Sequence, residues 1–228
     1  MQSALIISAG DFSTIEYADG YLRDRMFDLR VNADLIIACD KGYEYAKKLG
    51  IIPNVVMGDF DSSVSVDTAK AYADSVGAEF IVHPIEKDDT DTMLGIKLAI
   101  ERGAKDIYLC CCLGKRMDHT MANIQSMVYA SKNNVTCRII TDNEDMVVLN
   151  PGKYSFSYRK DYSLSLFSMT NVTKGLRIEN ALYNADAVDI TNTFPIGASN
   201  GWKEMDKSVE VSFEEGQILV IESSLAGE

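Results

Sequence analysis

The chain has 228 residues, room for one large domain or for a domain with a smaller companion, and its 46% apolar content excludes a disordered polymer. Its 34 acidic residues against 22 basic ones give a formal charge of −12, which excludes a nucleic-acid backbone as the main partner. A nucleotide bound here needs local cations, which a divalent metal supplies, and the overall field favours a positively charged organic substrate.

From the start to residue 150, short apolar runs alternate with helical patterns. Strands are expected at 4–8, 35–38, 55–57, 80–82, 107–111 and 137–140, with helices at 43–49, 66–75, 92–102 and 123–132 between them. This β-α-β spacing predicts an α/β fold, a mostly parallel sheet with helices on both faces and its ligand outside the carboxyl ends of the strands. The first run follows no basic region and reads as a strand rather than a signal peptide. No stretch approaches the ~20 apolar residues of a membrane span, so a soluble, cytoplasmic protein without a membrane partner is expected. Cys39, Cys110, Cys111, Cys112 and Cys137 fit neither a disulfide framework nor a zinc site, because neighbours on a strand face opposite ways. They read as small buried hydrophobes in a reducing compartment.

After Asn150-Pro151-Gly152 the period changes to two, at 154–158, 163–167, 187–190 and 209–213, with a last apolar run at 217–221. Residues 1–150 are therefore expected to form the α/β domain, and 151–228 a small all-β domain, an antiparallel sandwich.

The polar motifs of the first domain fall where a strand hands over to a helix. In Gly58-Asp59-Phe60-Asp61-Ser62, residues two apart in an extended chain point the same way. Asp59 and Asp61 can then converge on one hard cation while Phe60 turns inward. The same stretch also reads as an acidic turn with Ser62 as a helix cap. Lys87-Asp88-Asp89-Thr90-Asp91 opens a helix, where acids suit the positive end of the dipole and Asp or Thr can cap. Alternatively, Asp91 completes an oxygen cage of the kind Mg²⁺ accepts. Gly114-Lys115-Arg116-Met117-Asp118-His119 reads equally as a phosphate cradle or as a surface ion pair with a packed histidine. His83, beside Pro84, reads as structural. No P-loop, dinucleotide fingerprint or nucleophile elbow occurs, so a nucleotide must be held by metal, arginine and loop amides.

Taken in order, Ala38-Cys39-Asp40-Lys41-Gly42, the stretch from Pro53 through Ser62, Lys87 to Asp91, and Gly114 to His119 with Asn123 resemble the thiamine pyrophosphokinase family. Lys174-Gly175-Leu176-Arg177 and Ala198-Ser199-Asn200 resemble that family's thiamine-binding β-sandwich signatures, so the resemblance spans nearly the whole chain. It implies transfer of the terminal diphosphate of ATP to the thiamine hydroxyl, giving thiamine diphosphate and AMP, with Mg²⁺ as cofactor. Asp59, Asp61 and Asp91 would bind the metal, Arg116 would contact phosphate, and Asp118 would belong to the catalytic cluster. Asp40, Lys41, Asp88, Thr90, Arg116, His119 and Asn123 would serve the nucleotide. Ser199 and Asn200 would lie at the thiamine site, with Trp202 or Phe194 stacking on the substrate where Ile178 replaces an aromatic residue of some relatives. Lys41 and Lys115 stand where the family usually carries glycine. The resemblance further implies a homodimer with active sites between subunits. A Mg²⁺-dependent nucleotide hydrolase and a non-catalytic thiamine or nucleotide sensor are the alternative readings.

Overall fold

The computed structural model describes residues 2–12, 32–60, 65–114 and 116–225. They form two compact units, 1–142 and 143–228. The division falls before β7 (Glu144–Leu149) rather than at Pro151, because β7 pairs antiparallel with β13 (Ile218–Ser224) at the far end of the chain. A run as short as β7 gives no hint in sequence of which distant strand it will join.

In the first unit, β1 (Ser3–Ile7), β2 (Leu35–Cys39), β3 (Val55–Gly58), β4 (Glu79–Val82), β5 (Asp106–Cys110) and β6 (Thr136–Ile140) are all parallel. Their spatial order is β4-β3-β2-β1-β5-β6, so the chain builds outward from β1 in one direction and then reverses between β1 and β5. The α/β expectation is borne out. Helix α1 (Gly42–Leu49) follows β2, α2 (Val66–Val76) follows β3, α3 (Asp91–Glu101) follows β4, and α4 (Met117–Lys132) follows β5.

Alternate residues of β1 show how both faces are covered. Leu5 and Ile7 pack with Tyr45 and Ala46 of α1, while Ile6 lies on the other side against Gly95 of α3. The buried residues of α3, Thr92, Gly95, Ile96 and Ala99, recur at the spacing of one helix face, and so do Asn123, Ser126, Met127 and Ala130 of α4. Helix α4 starts at Met117, before the expected 123, and its first turns are largely exposed, with Met117 and Met121 facing water. Asp118 and His119 are thus helical rather than in a loop. Helix α2 is capped by Ser65, whose Oγ accepts from the Thr68 N–H at 3.2 Å, so the cap is not the Ser62 of the acidic-turn reading.

The second unit contains no helix among its described residues. Strand β13 lies between β7 and β9 (Tyr162–Ser168), antiparallel to both. A second antiparallel sheet runs in the order β11 (Ala185–Thr191), β10 (Val172–Glu179), β12 (Val209–Phe213), β8 (Gly152–Phe156). Leu164, Leu166, Ile218 and Val220 from the first sheet meet Leu176, Ile178, Val209, Val211 and Phe213 from the second in one core, as in an aligned β-sandwich. Strand β10 escapes the period-two reading because its ladder is irregular on both sides of Leu176, and Gly175 takes φ 67°. Among the described residues no helix is long and apolar enough to cross a membrane.

Candidate active site

Parallel sheets of this order leave a crevice where neighbouring crossovers depart in opposite directions, here between β1 and β5. A cavity of about 850 Å³ opens there, walled by the segments that leave the carboxyl ends of β1 to β5. The motif loops after β2, β3, β4 and β5 all reach it. The segment Ser8 to Phe12 after β1 also lines it, and its Gly10-Asp11 pair just beyond a strand is the signal in sequence that could have found it.

The loops hold their places by close backbone approach. Asp40 stands at φ 48° and donates its N–H to the Met57 carbonyl at 2.7 Å, tying the end of β2 to β3. A Cβ on Gly58 would lie 3.0 Å from the Asp40 backbone, so glycine lets that crossing happen. Gly42, opening α1, sits so near β1 that its Cβ would fall 2.1 Å from the Ile7 carbonyl oxygen. Phe60 at φ 51° and Cys111 at φ 51° are also left-handed. Asp40 lines the cavity, and Phe60 and Cys111 each adjoin a residue that does, places where a ligand site built on rigid elements stores strain. Phe60 is buried and stacks on Phe80 at 5.3 Å between centroids, so its ring turns inward as the sequence suggests.

Asp59 and Asp91 come together on one ammonium. Lys87 Nζ donates to Asp59 Oδ2 and, at 3.0 Å, to Asp91 Oδ1. The three side chains are only 13%, 12% and 21% exposed for Lys87, Asp59 and Asp91. Burial lowers the lysine's pKa, but the bonds to Asp59 and then Asp91 outweigh it and hold the ammonium above its ordinary value. Lys87 was visible in sequence only as the first letter of an acidic motif. Its role appears once β3 and β4 are neighbours. Asp61 lies outside the described residues, as does Lys115. Among the described residues no group of three or more His, Cys, Asp or Glu is placed to hold a metal. What the structure does show is two hard carboxylate donors held on a cation, a donor set that suits Mg²⁺.

Other expected residues are distributed unequally. Asp40, Lys41, Thr90, Arg116, His119 and Asn123 line the cavity, whereas Asp88 and Asp118 do not. The Thr90 hydroxyl caps α3 by accepting from the Met93 N–H at 3.2 Å. Asn123 is buried and donates to the Cys112 carbonyl, fixing the loop after β5. Ser8 Oγ lies 2.9 Å from Thr92 Oγ1, tying the end of β1 to α3. At another part of the wall, Phe12 and Tyr45 have ring centroids 5.0 Å apart, with Lys48 Nζ 4.9 Å from the Phe12 ring and Lys41 Nζ 6.0 Å from the Tyr45 ring.

Arg116, 71% exposed, forks onto Asp118 through Nε at 3.1 Å and through Nη2. That hydrogen bonding holds the Asp118 carboxyl down at about 2. A carboxylate so stabilised is a weak proton acceptor at neutral pH. Because the folded pKa lies below the ordinary carboxylate value of ~3.9, the pair contributes fully above that pH and is lost as pH falls through the folded value. A ¹³C NMR titration of the Asp118 carboxyl carbon is expected to show a midpoint about 2. A midpoint close to the ordinary value would mean that the pair does not persist in solution.

In the second unit, Asn200 is buried. Its Oδ1 accepts from the N–H groups of Tyr183 at 3.0 Å and Gly201 at 2.9 Å, and its Nδ2 donates to the Tyr183 carbonyl at 2.8 Å. Ser199 is exposed at φ 54°, with its N–H donated to Ser165 Oγ at 3.0 Å. Trp202, expected at a substrate face, has its ring in the sandwich core and donates Nε1–H to the Phe156 carbonyl at 2.8 Å. Phe194 is 66% exposed.

Fold and site together define an open α/β protein with a charged ligand pocket at the switch point of its sheet, followed by a β-sandwich. Residues 28–139 match the family described as thiamin pyrophosphokinase, catalytic domain, and the thiamine pyrophosphokinase of Bacillus subtilis (strain 168) is 29% identical over 154 residues, 68% of this chain and 67% of that protein. Over these residues the chain is similar to the thiamin pyrophosphokinase family. The fold agrees with the crystal structure of the Bacillus subtilis thiamine pyrophosphokinase at TM-score 0.82 and 24% identity, covering 98% of this chain and 99% of that one. It also agrees with thiamin pyrophosphokinase from Candida albicans at TM-score 0.75 and 18% identity, covering 98% and 89%.

Proposed function

We propose that this chain transfers the terminal diphosphate of ATP to the hydroxyl of thiamine, releasing AMP, and that it does so with Mg²⁺ as a cytoplasmic homodimer. The observation that carries the reading is the convergence of Asp59 and Asp91 with Lys41, Lys48, Lys87 and Arg116 in one cavity of a chain that matches this family over residues 28–139. An acidic protein holds a polyphosphate only where cations are concentrated, and these four residues line the same cavity. The five free, buried cysteines suit a reducing compartment.

Asp59, Asp61 and Asp91 would hold the magnesium, which neutralises charge on the polyphosphate. The rest of the work falls to the chain's own groups. Phosphoryl-type transfer is mainly a matter of position and charge, so Arg116 serves by taking up charge as the bond to AMP breaks. Thr90 and Asn123 keep the loops in place, and Asp40 and His119 border the nucleotide together with Lys41. Asp88, at the mouth of the same loop, adds to the network. Asp118 acts through Arg116, orienting the guanidinium, since its lowered pKa suits it poorly to take a proton. In the second unit Ser199 and Asn200 shape the thiamine site, Phe194 offers an exposed ring to the substrate, and Trp202 supports the loop from below.

Purified protein incubated with MgATP and thiamine is expected to form thiamine diphosphate and AMP in equal amounts, and to sediment as a dimer. Equal AMP formation with and without thiamine would replace the transferase with a hydrolase. Tight thiamine binding without product would leave a sensor.

A further inference from the structure

The bridge made by Lys87 has a consequence beyond the family's reaction, and it rests on the metal reading of Asp59 and Asp91 given above. The two carboxylates arrive from separate elements, Asp59 from the end of β3 and Asp91 from the first turn of α3, and Lys87 lies in the loop that precedes α3. Its ammonium bonds to both, and all three groups are mostly withdrawn from water. Two carboxylates held this close repel each other unless a positive charge stands between them. A divalent ion held by the same carboxylates would compete with the ammonium for them and set two positive centres against each other. Lysine is suited to give way, because its charge is a point at the end of four flexible carbons rather than a planar fork. The cavity offers somewhere to go, since Lys87 lines it beside the other cationic residues.

We propose that Lys87 is the resident counter-cation of the metal site: its ammonium holds Asp59 and Asp91 together when no divalent ion is bound, and it transfers to the polyphosphate when the ion enters. Metal alone then binds weakly, because it must displace a charge that has no better partner. With a polyphosphate present the displaced ammonium gains an anionic partner, so metal and nucleotide favour each other's binding through this side chain. Lys87 is in this sense a positioning residue for the two acids and a phosphate contact in turn.

Titration of the purified full chain with Mn²⁺ alone, followed by electron paramagnetic resonance, tests the idea without any turnover. Lys87→Gln is expected to bind Mn²⁺ about 10-fold more tightly than the unaltered chain, since one repelling charge has gone, and to bind MgATP at least several-fold more weakly. Lys87→Arg, which keeps the charge, is expected to stay weak for Mn²⁺. Lys87→Met supplies a second uncharged variant should the glutamine protein fail to fold. A purely structural tether predicts the opposite sign, because loss of the bridge would let the acids move apart and weaken Mn²⁺ binding. Uncharged variants that fold and bind Mn²⁺ no more tightly than the unaltered chain overturn the proposal. Asp59→Asn, expected to lose Mn²⁺ binding, marks the site. If the unaltered chain makes no thiamine diphosphate but the uncharged variants still tighten on Mn²⁺, the counter-cation role stands and the activity reading fails.

Discussion

On the proposed reaction, Asp59→Asn is expected to lower thiamine diphosphate formation from MgATP and thiamine by at least about 100-fold, a loss of about 2.7 kcal/mol of transition-state stabilisation. The substitution keeps shape and removes the charge proposed to hold the metal. Asp59 stands at the end of β3, held by the Gly58 approach to the Asp40 backbone on one side and by the Phe60 ring packed on Phe80 on the other, and neither depends on the carboxylate. The fold should therefore survive, with Lys87 still bonded to Asp91. The check is a steady-state assay of thiamine diphosphate beside a thermal melt of the same preparation. Activity within a few-fold of the unaltered chain, in a folded variant, would remove Asp59 from the metal site.

Trp202→Ala has its large effect on stability, about 3–5 kcal/mol. The indole fills the sandwich core with Leu176, Ile178 and Val209, meets Tyr158 edge-on at 6.3 Å, and donates to the Phe156 carbonyl at 2.8 Å. Alanine leaves a cavity and removes the hydrogen bond to that carbonyl. Trp202→Phe keeps most of the volume and loses chiefly the hydrogen bond, for a cost of about 1–3 kcal/mol. Denaturant unfolding followed by far-UV circular dichroism separates the two. The same pair of variants distinguishes core from substrate contact: if Trp202 stacks on thiamine, the phenylalanine variant changes the KM for thiamine while stability is nearly unchanged.

Much of the candidate site's lining was legible because its polar residues fall in short motifs at predictable places. The apolar runs at 35–38, 55–57 and 107–111 announce parallel strands, and polar residues just beyond such strands line the crevice that the sheet leaves open. Thr90 was readable as a cap because capping is local. Lys87 was not readable as a bridge, since its partner Asp59 lies 28 residues away and only the pairing of β3 with β4 brings them together. The Phe12 and Tyr45 pair was missed for the same reason, its two rings belonging to segments that follow different strands. Trp202 was placed by analogy at a substrate face, yet an indole with a backbone acceptor in reach is more stable in a core than on a surface.

The sequence by itself determined the local elements, the acids after β3 and before α3, and the change from helical to alternating period near residue 150, because each of these depends on neighbours a few positions apart. Strand order was decided only in three dimensions. The reversal between β1 and β5, and the meeting of Asp59, Lys87 and Asp91 on one charge, require non-local pairing whose register follows from burying both faces of the sheet at once.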